Sequence, residues 1–148
     1  MDAQRHWHED LILPVLLGEA RKTYGREIKR DLVEAGFDDM PRLGPRVLGG
    51  IARNGGQVGN IARAFGVSRQ AASKLIDTLV LRGYVERRPV GSDRRRVDLE
   101  LTDQGEAAAG VIAAAVKRVD AAVTERIGEK ELARMRGSLG AIVELAEA

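Results

Sequence analysis

The sequence predicts a mainly α-helical domain that carries one small β-hairpin. Six stretches place apolar residues three or four positions apart, as an amphipathic helix does. A single stretch, Val97-Asp98-Leu99-Glu100-Leu101, alternates apolar and polar at the period of a strand. The third observation is size: a chain of 148 residues without cysteine buries roughly two-thirds of its unfolded surface, so its core needs no disulfide or metal.

The first helix spans residues 13–35, with Leu13, Leu17, Ala20, Tyr24, Ile28, Leu32 and Ala35 along one side. Either the helix starts near Pro14, which fits a first turn, or a short helical turn around His6 to Asp10 precedes it and is kinked there; Gly36 ends the helix. After a loop from Phe37 to Leu43, Pro45–Arg53 forms a second helix with Val47, Leu48 and Ile51 inward, closed by Asn54, Gly55 and Gly56. A third, Gln57–Phe65, turns Ile61, Ala62 and Phe65 to the core; Gly59 and Asn60 weaken it, the glycine by roughly 1 kcal/mol. Gly66-Val67 make a turn, and Ser68 caps a fourth helix to about Arg82 whose buried stripe is Ala72, Leu75, Ile76 and Leu79. Gly83 stops it, and Tyr84–Arg88 and Val97–Leu101 pair across the turn formers Pro89, Gly91, Ser92 and Asp93. Thr102 then caps a long alanine-rich helix to about Ile127, with Gly105 tolerated in its first turn and Val111, Ala115, Val119, Ala122 and Ile127 on its apolar side. Gly128 breaks the chain before a last helix, Glu129–Ala146, with Leu132, Met135, Leu139, Ile142 and Val143 at helical spacing.

The net charge is only +2, but it is unevenly distributed. Residues 53–96 hold ten basic and three acidic side chains, a balance of +7, whereas residues 1–52 carry −1 and residues 97–148 carry −4. A basic middle between mildly acidic ends points to an anionic partner for the middle, against the alternative of a solvated arginine-rich surface. No apolar run reaches the ~18–20 residues of a membrane span, and Glu9 and Asp10 stand where a secretory signal would be basic, so a cytoplasmic protein without membrane contact is expected.

Catalytic chemistry is not legible. With no cysteine and both histidines near the N-terminus, no nucleophile and base form a pair, and the glycines match neither nucleotide-binding pattern. His6 and His8, two residues apart, do not share a helix face and have no third His or Cys to complete a metal shell. No enzyme, cofactor or metal is expected.

Ile61-Ala62-x-x-Phe65-Gly66-Val67-Ser68, continuing with Ala71, Ala72 and Leu75, reads as helix, tight glycine turn, helix. Such a pair lets the second helix enter a major groove with its N-terminal side chains, here Ser68, Arg69, Gln70, Ser73 and Lys74. The arginine-rich hairpin follows at once, carrying Arg87, Arg88, Arg94, Arg95 and Arg96. A helix-turn-helix followed by a basic hairpin has the order of a winged helix, the hairpin being a wing that lies along a minor groove or phosphates.

The segments Gly83-Tyr84-Val85-Glu86-Arg87-Arg88-Pro89, Asp93-Arg94-Arg95-Arg96-Val97 and Leu99-x-Leu101-Thr102-x-x-Gly105 closely resemble the wing of the MarR family of bacterial transcriptional regulators. Ala62, Gly66, Val67, Ser68 and Leu79 fit the same family's helix-turn-helix. The resemblance implies that Asp93 steadies the wing, that Arg95 reaches into DNA, and that Arg94 and Arg96 contact phosphate or exchange with it. It further implies a homodimer built from an N-terminal segment (1–44) and C-terminal helices (103–148) around a winged helix-turn-helix (45–102). The apolar stripes of the first and last two helices agree with this, although an intramolecular bundle would also bury them. The expected function is a DNA-binding regulator, in the main a repressor, on palindromic duplex DNA with half-sites about one helical turn apart. The alternative is a winged helix that meets an acidic protein surface instead. Many members bind phenolic or other aromatic anions between the dimerising helices and the winged helix. By position the candidates for such an effector site are Trp7, His8, Tyr24 and Arg46, each of which also has a core or surface explanation.

Overall fold

The computed structural model describes residues 7–145, except for the side chains of Trp7, Asp93, Arg94, Arg95 and Arg96. A 3-10 turn at Trp7–Asp10 precedes helices α1 (Leu13–Glu34), α2 (Gly44–Asn54), α3 (Val58–Phe65) and α4 (Arg69–Leu81). Strands β1 (Val85–Val90) and β2 (Asp93–Leu101) form an antiparallel hairpin, and α5 (Asp103–Ile127) and α6 (Glu129–Glu144) follow. Each helix lies within two residues of its expected bounds. No helix among the described residues is long and apolar enough to cross a membrane.

Three helices stop in the same way. At the ends of α1, α3 and α4 a glycine with positive φ (Gly36, Gly66 and Gly83) is followed by an apolar residue. That residue's amide donates to the carbonyl five positions back: Phe37 to Leu32 at 2.8 Å, Val67 to Ala62 at 3.1 Å and Tyr84 to Leu79 at 2.9 Å. This is a Schellman closure, in which glycine takes the left-handed position without a Cβ penalty and the next apolar side chain packs back on the last turn. The three Gly-apolar pairs therefore set the loop before α2, the helix-turn-helix turn and the entry to the wing.

The core fills the space between α2, α3, α4 and the wing base. Val47, Leu48 and Ile51 of α2, Ile61 and Ala62 of α3, and Ala72, Ile76 and Leu79 of α4 are all buried, joined by Tyr84, Val85, Leu99, Ala108 and Ile112. The expected stripes of these short helices are present, with Phe65 and Leu75 half-buried at the core's edge. The long helices differ from expectation. On α1 only Leu32 is buried, while Leu13, Ala20 and Ala35 are exposed. On α5 the buried positions are Gly105, Ala108, Ile112 and Ala115, so the inward face lies one step round from Val111, and Ala122 and Ile127 are exposed. On α6 only Leu132 is buried. These helices extend beyond the winged-helix core, and over much of their length no other element among the described residues covers the apolar side.

The hairpin is longer than its alternating segment. The pairing runs from Val85 opposite Leu101 to Pro89 opposite Val97, then shifts register at Val90, which pairs with Asp93. Pro89 and the Gly91-Ser92 tip read as a wide turn, yet in a two-stranded sheet every strand is an edge, and an edge beside a bulge tolerates proline. A further bridge, not foreseen, ties the hairpin to the helices: Leu99 N–H donates to Gly56 O at 2.7 Å.

At the wing's base, Thr102 Oγ1 accepts from Gly105 N–H at 3.0 Å and donates to Gly83 O at 2.5 Å. Gly105 is required here rather than merely tolerated, because a Cβ on it would stand 2.0 Å from Tyr84 O. The sequence α2, α3, turn, α4 and hairpin is a winged helix-turn-helix, with α1, α5 and α6 outside it.

Candidate nucleic-acid interface

The N-terminus of α4 is built to present polar side chains. Ser68 accepts from Ala71 N–H at 3.1 Å and satisfies one amide of the first turn. Behind it Ala72, Ile76 and Leu79 fix the helix against the core, so that Ser68, Arg69, Gln70 and Lys74 are exposed and Ser73 is half-buried on the outer side. Gly59 faces Arg69: a Cβ there would lie 3.2 Å from a guanidinium Nη. The glycine that weakens α3 thus leaves room for the Arg69 side chain to lie across that helix's first turn.

The strand register divides the arginines of β1. Glu86 pairs with Glu100 and Arg88 with Asp98, which puts Glu86, Arg88 and Glu100 on the outer face of the hairpin. There Arg88 meets Glu86 and Glu100, each at 3.0 Å. The Glu86 hydrogen bond, followed by the charge of Glu100, raises the Arg88 pKa above its ordinary value. Arg87 points the other way and meets Asp77 of α4 at 2.5 Å. The backbone of 93–96 forms the distal part of β2, but the side chains of Asp93, Arg94, Arg95 and Arg96 lie outside the described residues.

Asp39, in the loop before α2, braces the other end of α4. Its carboxylate accepts from Tyr84 O–H and its carbonyl from Arg82 Nη1. Tyr84 is fully buried and meets Phe37 edge-on, with ring centroids 6.1 Å apart. Burial, then the Asp39 hydrogen bond, pushes the Tyr84 pKa up to about 12. Sequence reasoning missed Asp39, and nothing in its neighbourhood marks it from Asp38.

A helix with an exposed polar N-terminus, capped by serine, beside a two-stranded basic hairpin, matches the family model of the MarR family over residues 38–96. Residues 38–96 thus resemble the MarR family. The match begins in the loop that holds Asp39 and covers α2 to the arginine run of β2. No curated protein matches the chain. Among solved structures, this chain is similar to MarR, at 25% identity over 95% of each chain with a TM-score of 0.76. It is similar in fold to FabT of Streptococcus pneumoniae in complex with DNA (19% identity, 91% of this chain and 95% of that one, TM-score 0.76). The third is CouR, a transcriptional repressor bound to a 23-mer DNA duplex (23% identity, 95% and 99%, TM-score 0.73).

The candidate effector residues are dispersed. Tyr24 O–H donates to Asp120 of α5 at 2.6 Å, and burial with that bond pushes its pKa up to about 12. Arg46 lies 4.3 Å over the Phe65 ring, a cation–π contact between α2 and α3. His8 is exposed in the 3-10 turn, and the Trp7 side chain lies outside the described residues. Neither of two described clefts is lined by these residues. One, of about 360 Å³, lies between α5 and α6 beside Lys117, Asp120 and Arg136; the other, of about 270 Å³, lies between the end of α2, β2 and α5 beside Glu100 and Glu106. Among the described residues no cluster of three or more His, Cys, Asp or Glu could hold a metal ion.

Around Asp120 and Arg118 the scaffold helices are tied together. Asp120 accepts Tyr24 of α1 and Arg136 of α6, the latter at 2.8 Å. Arg118 reaches Asp31 at 2.6 Å and Glu27 at 3.1 Å on α1, and its hydrogen bond lowers the Asp31 pKa. Glu27 and Asp31, four apart on one helix face, were a readable signal for a facing cation.

Proposed function

We propose that this protein is a sequence-specific DNA-binding transcriptional regulator, a repressor that binds a palindromic operator as a homodimer. The observation that carries the reading is the outer face of exposed Arg69, Gln70 and Lys74 with half-buried Ser73 on a capped helix beside an arginine-bearing hairpin. Side chains on the first turns of such a helix reach base edges, while wing arginines meet phosphate or the minor groove. DNA-bound FabT and CouR, and CouR's description as a repressor, support the partner and the sign of regulation.

A homodimer is supported by the apolar side chains left uncovered at both ends of the chain. Ile12 and Leu13 near the start, and Met135, Ile142 and Val143 on α6, are exposed, and a two-fold mate would bury them. In this reading residues 1–44 and 103–148 form the dimerising scaffold, and residues 45–102 read DNA. Asp93 steadies the wing and Arg95 enters the groove, flanked by Arg94 and Arg96.

A small phenolic or aromatic anion as effector is supported by the family resemblance. Its test is a thermal shift and loss of DNA binding with candidate phenolic acids; no shift and no loss abandons it. The test of the whole reading is selection of bound duplexes from a random library by the purified protein. An enriched palindrome, bound more weakly as salt rises and more weakly by Arg95→Ala, is the expected result. Failure to enrich any duplex favours a protein-interaction module instead.

A further inference from the structure

Arg87 and Arg88 are neighbours in sequence, equal in charge and equal candidates for phosphate. The hairpin gives them different work. Arg87 stands opposite Leu99, whose side chain is buried, so Arg87 shares the inner face of the wing and turns toward α4. There it meets Asp77 at 2.5 Å. Asp77 follows Ser73 and Lys74 by one turn on the helix proposed to read DNA, and it is the acid in the α4 sequence Arg69–Leu81. An acid near phosphate weakens binding unless it does something else for the complex.

Its value as a stabilising ion pair is small, because both partners are partly exposed and surface pairs contribute little. Its geometry has more consequence. The wing joins α4 directly at Gly83-Tyr84, and Arg87 lies three residues farther out, roughly 10 Å along the strand. A bond there fixes the angle between wing and helix in a way the covalent junction alone does not. We propose that Asp77 and Arg87 form a clasp that holds the wing and the recognition helix in one reading geometry, Arg87 being a positioning residue and not a phosphate contact. The inference rests on the DNA-binding reading.

The competing role, in which Asp77 merely masks a phosphate-binding arginine, makes opposite predictions. The clasp predicts that Asp77→Asn and Arg87→Ala each weaken the selected duplex, by about three- to tenfold for loss of orientation, and that the double variant is no weaker than either alone. It also predicts a salt slope within experimental error of the parent's for Arg87→Ala, and partial recovery in the charge-reversed pair Asp77→Arg with Arg87→Asp. Tighter binding by Asp77→Asn, or a slope for Arg87→Ala lowered by about 0.9, the value of one lost phosphate contact, overturns the clasp. A measurement without DNA separates this from failure of the DNA-binding reading. Amide hydrogen exchange in the outer part of β1 should quicken in Asp77→Asn, with the circular dichroism unchanged, and unaltered exchange also overturns the proposal.

Discussion

Gly105→Ala tests how the wing is seated. A Cβ at this position would lie 2.0 Å from Tyr84 O and 3.0 Å from Tyr84 C, both backbone atoms, so no side-chain rotation relieves the clash. Either α5 or the Tyr84 peptide must move by about 1 Å to restore ordinary contact, an overpacking cost of roughly 1–3 kcal/mol. Movement also strains the bonds that end there, Thr102 N–H to Tyr84 O at 3.2 Å and Gly105 N–H to Thr102 Oγ1 at 3.0 Å, at about 0.5–1.5 kcal/mol each. The helix propensity gained by alanine returns up to about 1 kcal/mol. The net expectation is a loss of about 2–4 kcal/mol, read as a lower urea midpoint and a melting temperature lower by roughly 5–15 °C. Gly110→Ala is the internal control, since nothing lies within 4 Å of a Cβ there; it should be neutral or stabilising by up to about 1 kcal/mol. If Gly105→Ala lies within about 0.5 kcal/mol of the parent, the range of ordinary surface changes, the close approach of α5 to Tyr84 is not what fixes the wing.

Gly59→Ala should stabilise the fold by up to about 1 kcal/mol through helix propensity while displacing the Arg69 guanidinium that lies 3.2 Å from the new Cβ. Chemical denaturation and binding to the selected duplex should therefore move in opposite directions. Tyr24 and Tyr84 hold their protons well above the ordinary phenol value of 10.0, both being pushed up to about 12. Their contribution to stability is full below pH 10 and is lost as pH rises through about 12, and absorbance titration should show both ionising late in the folded protein but normally in urea. The proposed homodimer predicts that Ile142→Glu with Val143→Glu on α6 shifts sedimentation from dimer to monomer and weakens DNA binding together; an unchanged sedimentation coefficient refutes α6 as a dimer contact.

What the sequence made legible was local. Gly36-Phe37, Gly66-Val67 and Gly83-Tyr84 mark helix ends within a few residues, and the stripes of α2 and α4 name their buried faces because both helices lie wholly against the core. The long helices were harder. A period of three to four locates an apolar side, but it cannot tell whether this chain or another surface covers Leu13, Ala122 or Met135. Other contacts between distant residues were not legible: Asp39 under Tyr84, Gly56 against Leu99 and Asp77 with Arg87 depend on how finished elements are placed. Arg87 and Arg88 had the same standing in the sequence, and the strand register separated them.

The Schellman stops have a kinetic consequence. Each is closed within six residues, so the ends of α1, α3 and α4 can form on the time scale of single helices, well before the tertiary structure. The bridge between Gly56 and Leu99 instead closes 43 positions of chain, and it cannot form until α3, α4 and β1 lie between its ends in order. Loop-closure entropy of that kind falls on the transition state. The step that limits folding is therefore expected to be the return of β2 onto the end of α2, with the helix-turn-helix assembled early and the wing attached last.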